Sequence, residues 1–429
     1  MQFEEGELEQ EWFRKRTYKH FDRPVNSIFV ENTIDPSFVS THSFAPLIQF
    51  NKVTKKYKLC AVERKRKVVK KSRAIMYASH KDACILSYYS SLLGNLLNNY
   101  YYENDLDENV IAYRSLGRSN YDFSAKAYNF AMLESPVSVL AFDVSGFFDN
   151  LDHKLLKSKL KRILNMDELP KDWYAIYKFV TKFHYVKKDE LKLIPAFLKS
   201  LDTPGVEPIA TVAELKREKI NFYPNPTHGR GIPQGTPISA TLSNLYLMAF
   251  DKEIKDFCVS IGAFYQRYSD DILVICSPER EGEVSKKIKY LMDREKLSLN
   301  EEKTEIRTFD KNKREFTPSD LSQYLGFSFG YNDVFIRQSS MARQWRKMRK
   351  SIQRTKRYAE INIQSGKSNK VYTKKLRRKF SPLQYRNFSS YARRGAHAFN
   401  SRSILKQTRR LERAFEMELQ KIKSDLEKP

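Results

Sequence analysis

The sequence predicts an α+β fold, on three observations. Two apolar, aromatic-rich runs, Phe264-Tyr265-Gln266-Arg267-Tyr268 and Ile272-Leu273-Val274-Ile275, flank Ser269-Asp270-Asp271, the pattern of a β-hairpin with two acids at its turn. Val137-Ser138-Val139-Leu140-Ala141-Phe142 is a nearly continuous apolar strand that ends on Asp143. Apolar residues recur at helical spacings of three and four over 80–103, and again over 339–362 and 401–424.

At 429 residues the chain exceeds a single hydrophobic core, so two or three subdomains are expected. Its net charge of +26 calls for a polyanionic partner, nucleic acid rather than a membrane surface. No run of about 18 apolar residues exists to span a bilayer. Residues 1–7 show neither part of a signal peptide, so a cytoplasmic location and no membrane partner are expected. Cys60, Cys84, Cys258 and Cys276 are scattered in apolar surroundings, as buried free thiols are. The seven histidines show no metal-ligand spacing.

In chain order, residues 1–50 are mixed and weakly periodic, an N-terminal extension with Trp12, Phe13, Phe21 and Phe29 to pack on a neighbour. From Tyr57 to Ser79, two β-prone runs surround the charged tip Glu63-Arg64-Lys65-Arg66-Lys67. One strand face lines up Lys71 and Arg73, either as a solvated basic face or as a phosphate-binding one. The helix over 80–103 carries Ile85, Tyr88, Tyr89, Leu92, Leu93, Leu96 and Leu97 as an apolar stripe for the core. Val110-Ile111-Ala112-Tyr113-Arg114-Ser115 reads as a short strand, followed by a helix containing Lys126. Arg114 and Lys126 are equally readable as phosphate contacts and as ordinary surface cations.

Asp143 ends a buried strand before Val144-Ser145-Gly146-Phe147-Phe148-Asp149, a costly place for a charge unless a metal neutralises it. Its alternative, a helix N-cap, is weakened because Asp149 and Asn150 lie nearer the helix over 153–164. Residues 165–226, interrupted by six prolines, read as a loop-rich insertion. Gly229, Gly231 and Gly235 then lead into a helix, which suits close backbone approach to a ligand and helix N-terminal N–H groups. Ser269-Asp270-Asp271 reads either as a solvated turn or as a cation-binding pair. A charged amphipathic helix over 281–296 follows, then a strand after Leu299-Asn300-Glu301-Glu302-Lys303-Thr304 and a last hairpin around Tyr324-Leu325-Gly326-Phe327. Residues 337–429 carry 27 Lys and Arg against six Asp and Glu, with Tyr358, Tyr372, Tyr385, Tyr391 and Phe399 interleaved, as a nucleic-acid duplex would favour.

Five segments in this order, Phe142 to Asp149, Gly231 to Pro237, Tyr268 to Asp271, Leu299 to Thr304 and Tyr324 to Phe327, resemble the reverse transcriptase family. Within it, Arg73-Ala74-Ile75, Ala78-Ser79-His80-Lys81-Asp82-Ala83, Ala112-Tyr113-Arg114 and Thr236-Pro237-Ile238-Ser239-Ala240 resemble bacterial retron, abortive-infection and "unknown group" enzymes, many of them antiphage defence proteins. The resemblance implies a right-hand polymerase fold: fingers at 51–136, palm at 137–164 and 227–336 with 165–226 connecting them, and a basic α-helical thumb at 337–429.

It further implies an RNA-directed DNA polymerase in which Asp143, Asp270, Asp271 and the Val144 carbonyl bind Mg²⁺, and Lys303 assists the leaving pyrophosphate. Lys71, Arg73 and Gln234 would meet the incoming nucleotide. Phe148 stands at the family's steric-gate position, which implies dNTP use. Arg114, Tyr324, Leu325 and Gly326 would hold template and primer. The implied partners are an RNA template, a noncoding RNA in the defence setting, and the DNA product. Two other readings stand beside this one, a group II intron-type maturase and a catalytically idle RNA-binding scaffold.

Overall fold

The computed structural model describes residues 11–59, 66–205, 207–313, 321–331, 333–382 and 386–426. Cys60, the tip residues Glu63-Arg64-Lys65 and Tyr385 lie outside the described residues. The strands are β1 (Leu47–Leu59), β2 (Arg66–Tyr77), β3 (Val137–Asp143), β4 (His184–Lys187), β5 (Tyr223–Pro224), β6 (Phe264–Tyr268), β7 (Asp271–Cys276), β8 (Glu305–Phe309), β9 (Ser322–Tyr324), β10 (Phe327–Phe329) and β11 (Val334–Ile336). They form three sheets of order β2-β1-β4-β5, β6-β7-β3-β8 and β11-β10-β9, and with the helices make a mixed α+β architecture.

The sheet β6-β7-β3-β8 is antiparallel throughout and is a wall shared by two cores. Leu140 and Phe142 of β3, with Ile272 and Val274 of β7, face a core built with helices His80–Glu103, Ser239–Tyr246, Met248–Ser260 and Glu281–Arg294. Val137 and Val139, with Leu273 and Ile275, face a second core that includes β9–β11 and the C-terminal helices. Side chains alternate across a strand, so burial on both faces is what makes both strands read as unbroken apolar runs.

The hairpin over 264–275 and the helices His80–Glu103 and Glu281–Arg294 match the sequence reading closely, and Val284, Ile288 and Leu291 point inward. The C-terminal periodicity becomes Gln338–Gln364 and Arg402–Leu426, joined through shorter helices at Lys374–Phe380 and Phe388–Ala398. Met348 and Ile352 pack there with Leu411, Phe415 and Leu419. The extension does pack on a neighbour: the Trp12 ring lies 5.2 Å from Tyr88, and Asp22 accepts from the His80 and Lys81 amides.

One reading needs correction. Residues 110–115 are not a strand. Val110 makes one isolated bridge to Arg267, and the chain then turns at Tyr113, whose φ is 62°. The segment 165–226 is built into the first sheet: β4 pairs with β1 in parallel, β5 extends the same sheet, and Val186, Phe197, Ile209 and Leu215 close a small core on Ile48. Its prolines punctuate short elements that the sheet collects, a contact invisible to local pattern.

The glycine turn packs tightly against the first sheet. Gly235 has φ 120°, and a Cβ there would stand 2.6 Å from the Met76 carbonyl oxygen, while the Met76 amide donates to the Gln234 carbonyl at 2.9 Å. The glycine thus lets the turn press against β2. Gly235→Ala is expected to cost about 1–3 kcal/mol of stability, read by denaturant unfolding.

Candidate active site

β3 and β7 pair in a register that sets Asp143 opposite Asp271. Past the strand end, the Val144 amide donates to the Asp270 carbonyl at 3.1 Å, and the Asn300 amide donates to the Asp143 carbonyl at 2.7 Å. The Ser145 amide donates to the Ser298 carbonyl at 2.8 Å. The segment 298–300 therefore splints the end of β3, and the turn Glu301–Lys303 carries the Lys303 ammonium to the Asp143 carboxylate, where Nζ donates to Oδ1. Asp143, Asp270, Asp271 and Lys303 are brought together, as the sequence suggested.

Three carboxylates and one ammonium leave the site short of positive charge. Burial, then the like charges of Asp270 and Asp143, push the Asp271 carboxyl up to about 6, while Lys303 and Arg337 oppose the rise. A cation relieves this strain. Among the described residues no three His, Cys, Asp or Glu side chains form a ready ligand group. An ion here must draw further oxygens from backbone, water or substrate.

Phe147 and Phe148 follow the left-handed Gly146, φ 53°, with their rings 5.6 Å apart in an edge-to-face contact. Phe147 is buried in the core, and Phe148 is half-buried at its edge. Of the two rings, Phe148 is therefore the one free to meet a ligand. The Phe148 carbonyl accepts from the Ile232 amide at 2.9 Å, and Gln234 is tied to β2 through Met76. Phe148, Gln234 and the strand carrying Lys71 and Arg73 are therefore stitched into one structure. On β2, Arg73 sits opposite Lys52 and Lys70 opposite Lys55. Like charges directly opposed in a hairpin disfavour it unless an anion intervenes.

The primer side differs from the expectation in one respect. Tyr324 is buried, its hydroxyl donating to Gln266 Oε1 at 2.9 Å, so its ring supports the turn and is not offered to a ligand. The turn itself, Leu325 and Gly326 at φ 45° and 94°, is half-buried, with Leu325 packed on the second core, and the Gly326 carbonyl accepts from the Arg337 amide at 2.9 Å.

Arg114 is not a nucleic-acid contact here. Its side chain is only 5% exposed, pairs with Asp107, donates to the Val110 carbonyl at 2.9 Å and to Asn98 Oδ1 at 2.8 Å, and lies 4.6 Å over the Tyr101 ring. It is a latch on the turn over 104–114. Lys126 is likewise paired, with Glu108 at 2.7 Å.

A family model described as reverse transcriptase (RNA-dependent DNA polymerase) matches residues 66–329, which contain Asp143, Phe148, Gln234, Asp270, Asp271, Lys303 and Gly326. The chain belongs to the reverse transcriptase family. Among solved structures, telomerase from Candida albicans with a TWJ fragment of telomeric RNA is 12% identical, over 93% of this chain and 58% of that one, with a TM-score of 0.48. Apo telomerase from Candida tropicalis is 15% identical, over 90% and 60%, with a TM-score of 0.46. A form truncated from its C-terminal domain is 14% identical, over 69% and 56%, with a TM-score of 0.44. This reverse transcriptase family member thus spans less than two thirds of each telomerase chain.

Sequence reasoning missed Arg267 and Asp251. Arg267 is fully buried behind the acidic turn, and both its Nε and Nη2 bond Asp251 at 2.6 Å. An Arg inside an apolar strand was a usable signal, since such a charge requires a partner, but nothing local named Asp251.

Arg114→Ala should lower stability by about 1–3 kcal/mol and leave the salt dependence of RNA binding unchanged, measured by unfolding and by salt titration. A carboxyl raised in the folded state holds its proton longer than in the unfolded chain, so its effect on stability worsens as pH climbs from about 4 through about 6. In EDTA, Asp271→Asn should therefore melt higher than wild type at pH 7.5, with the difference shrinking toward pH 4.5.

Proposed function

We propose that this chain is an RNA-directed DNA polymerase that extends a primer with dNTPs by two-metal nucleotidyl transfer. The observation that carries the reading is the register of β3 and β7, which gathers Asp143, Asp270 and Asp271 beside Lys303. The donor set suits a hard cation such as Mg²⁺: carboxylates and backbone carbonyls, with no thiol or imidazole. Bound Mg²⁺ would lower the pKa of the primer 3′-hydroxyl and neutralise charge building on the triphosphate.

The chain's own residues do the rest. Asp143 and Asp270, with the Val144 carbonyl, hold the ions, and Asp271 adds negative charge beside them. Lys303, 45% exposed on its short turn, is able to swing from Asp143 toward the departing pyrophosphate and give it a proton. Lys71 and Arg73 meet the β- and γ-phosphates from β2. Gln234 lies against the base pair being formed, and Phe148 closes the space a ribose 2′-hydroxyl would need. Leu325 and Gly326 set the primer end, and the basic helices over 337–426 follow the template–primer duplex.

We further propose a noncoding RNA template, a cytoplasmic setting and a role in bacterial antiphage defence. The likeness of Arg73-Ala74-Ile75, Ala112-Tyr113-Arg114 and Thr236-Pro237-Ile238-Ser239-Ala240 to defence enzymes supports this. Sequencing the RNA and DNA that co-purify from the host tests it, and a bound group II intron would point to a maturase instead.

Primer extension on an RNA template should be abolished by Asp270→Asn and by Asp143→Asn. Phe148→Ala should raise ribonucleotide incorporation relative to dNTPs by about 10-fold or more. Wild-type incorporation of ribonucleotides as readily as dNTPs would remove the gate assignment.

A further inference from the structure

Tyr268 pairs with Asp271 across β6 and β7, which leaves Ser269 and Asp270 as a two-residue hairpin turn. Only the first of the two has positive φ, 60° at Ser269. That position ordinarily takes glycine, yet here a serine stands in strained backbone. Two separate groups grip it. Arg267 Nη1 donates to the Ser269 carbonyl at 3.0 Å, and the Tyr113 hydroxyl lies 3.1 Å from Ser269 Oγ.

The two grips belong to one circuit. Arg267 is fixed by its bidentate pair with Asp251, whose Oδ1 also accepts from the Tyr265 hydroxyl at 2.6 Å. Arg267 Nη1 reaches Asn244 Oδ1 at 3.3 Å, and Asn244 Nδ2 donates to the Ala112 carbonyl at 2.8 Å. Ala112 precedes Tyr113, so the path returns to Ser269 and closes around the turn. Tyr113 is itself a non-glycine residue at φ 62°, and it is 50% exposed. A tyrosine kept in strained backbone and half in solvent contributes little to stability on its own. Its hydroxyl is the part that the structure uses.

We propose that Tyr113 and Arg267 are positioning residues that aim the Asp270–Asp271 pair through Ser269, an assignment that rests on the polymerase reading. A glycine would fit this backbone more easily, but the serine's side-chain oxygen gives Tyr113 something to hold. Carboxylates that bind catalytic ions tolerate little misplacement, so loosening the turn slows the chemical step and not substrate binding.

The test is a double-mutant cycle on the full chain with Tyr113→Phe, Ser269→Ala and their combination, measured by single-nucleotide incorporation on an RNA template. Each single variant should lower kcat by about 10-fold, with KM for dNTP and for template–primer within about 2-fold. The double variant should be no slower than either single one, because both remove the same bond. The Mg²⁺ concentration for half-maximal rate should rise in all three. Ser269→Gly, which relieves the backbone, should melt no lower than wild type and still be slow. A raised template–primer KM at unchanged kcat would make Tyr113 a nucleic-acid contact and overturn the proposal, as would multiplying effects in the double variant or unaltered kcat in Tyr113→Phe. Failure of the underlying reading looks different: wild type and Asp270→Asn would then behave alike.

Discussion

The pairing of β3 with β7 governs the catalytic end of this molecule. It places Asp143 opposite Asp271, and the cost of that crowding appears in the raised Asp271 carboxyl. A one-residue slip would dismantle the site, yet the apolar pattern alone does not forbid it, because both faces of both strands are buried. Polar pins on the neighbouring strand do. On β6, Arg267 reaches Asp251 on one side of the sheet, and Gln266 accepts from Tyr324 while donating to the Glu108 carbonyl on the other. A slip of β6 would exchange these two residues and bury a guanidinium without its carboxylate, which is far costlier than misplacing a leucine. The buried ion pair thus acts as a register device for the site in front of it.

Charge is organised on the same principle of deferred compensation. The hairpin of β1 and β2 opposes cations to cations, Lys52 to Arg73 and Lys55 to Lys70, and the C-terminal helices carry most of the excess positive charge. The acidic turn does the reverse and concentrates carboxylates. Each arrangement is unfavourable alone and becomes favourable with a phosphate-rich ligand and its ions between them. Cations used for structure are visibly different: Arg114 and Arg267 are buried, multiply bonded and matched to a carboxylate.

Elements whose signals are local are legible in the order of residues alone. The hairpin over 264–275 and the helix over 80–103 declare themselves by pattern over one or two dozen residues, and the strand ending at Asp143 by a short, nearly unbroken apolar run. So do the acids and Lys303, through motifs that a family resemblance orders. Residues 110–115 misled because apolar side chains there are buried by an irregular turn bonded to Arg267, and a short apolar run does not distinguish the two. Arg114 misled because a cation that serves a ligand and a cation folded under a turn look the same in sequence. The role of the segment 165–226 was not legible because β4 finds its partner β1 more than a hundred residues earlier.

Chemical inventory and succession belong to the chain alone: which carboxylates, which glycines and which cations occur, and in what order, follow from composition and short-range spacing. Other features exist only once the chain is folded. Packing buries Phe147 in the core and leaves Phe148 at its edge, buries Tyr324, and presses Gly235 against β2. It also surrounds the acidic turn with Asp251, Arg267, Asn244 and Tyr113. These are contacts between residues far apart in the chain, fixed by packing two cores onto one sheet, and no local pattern carries that information.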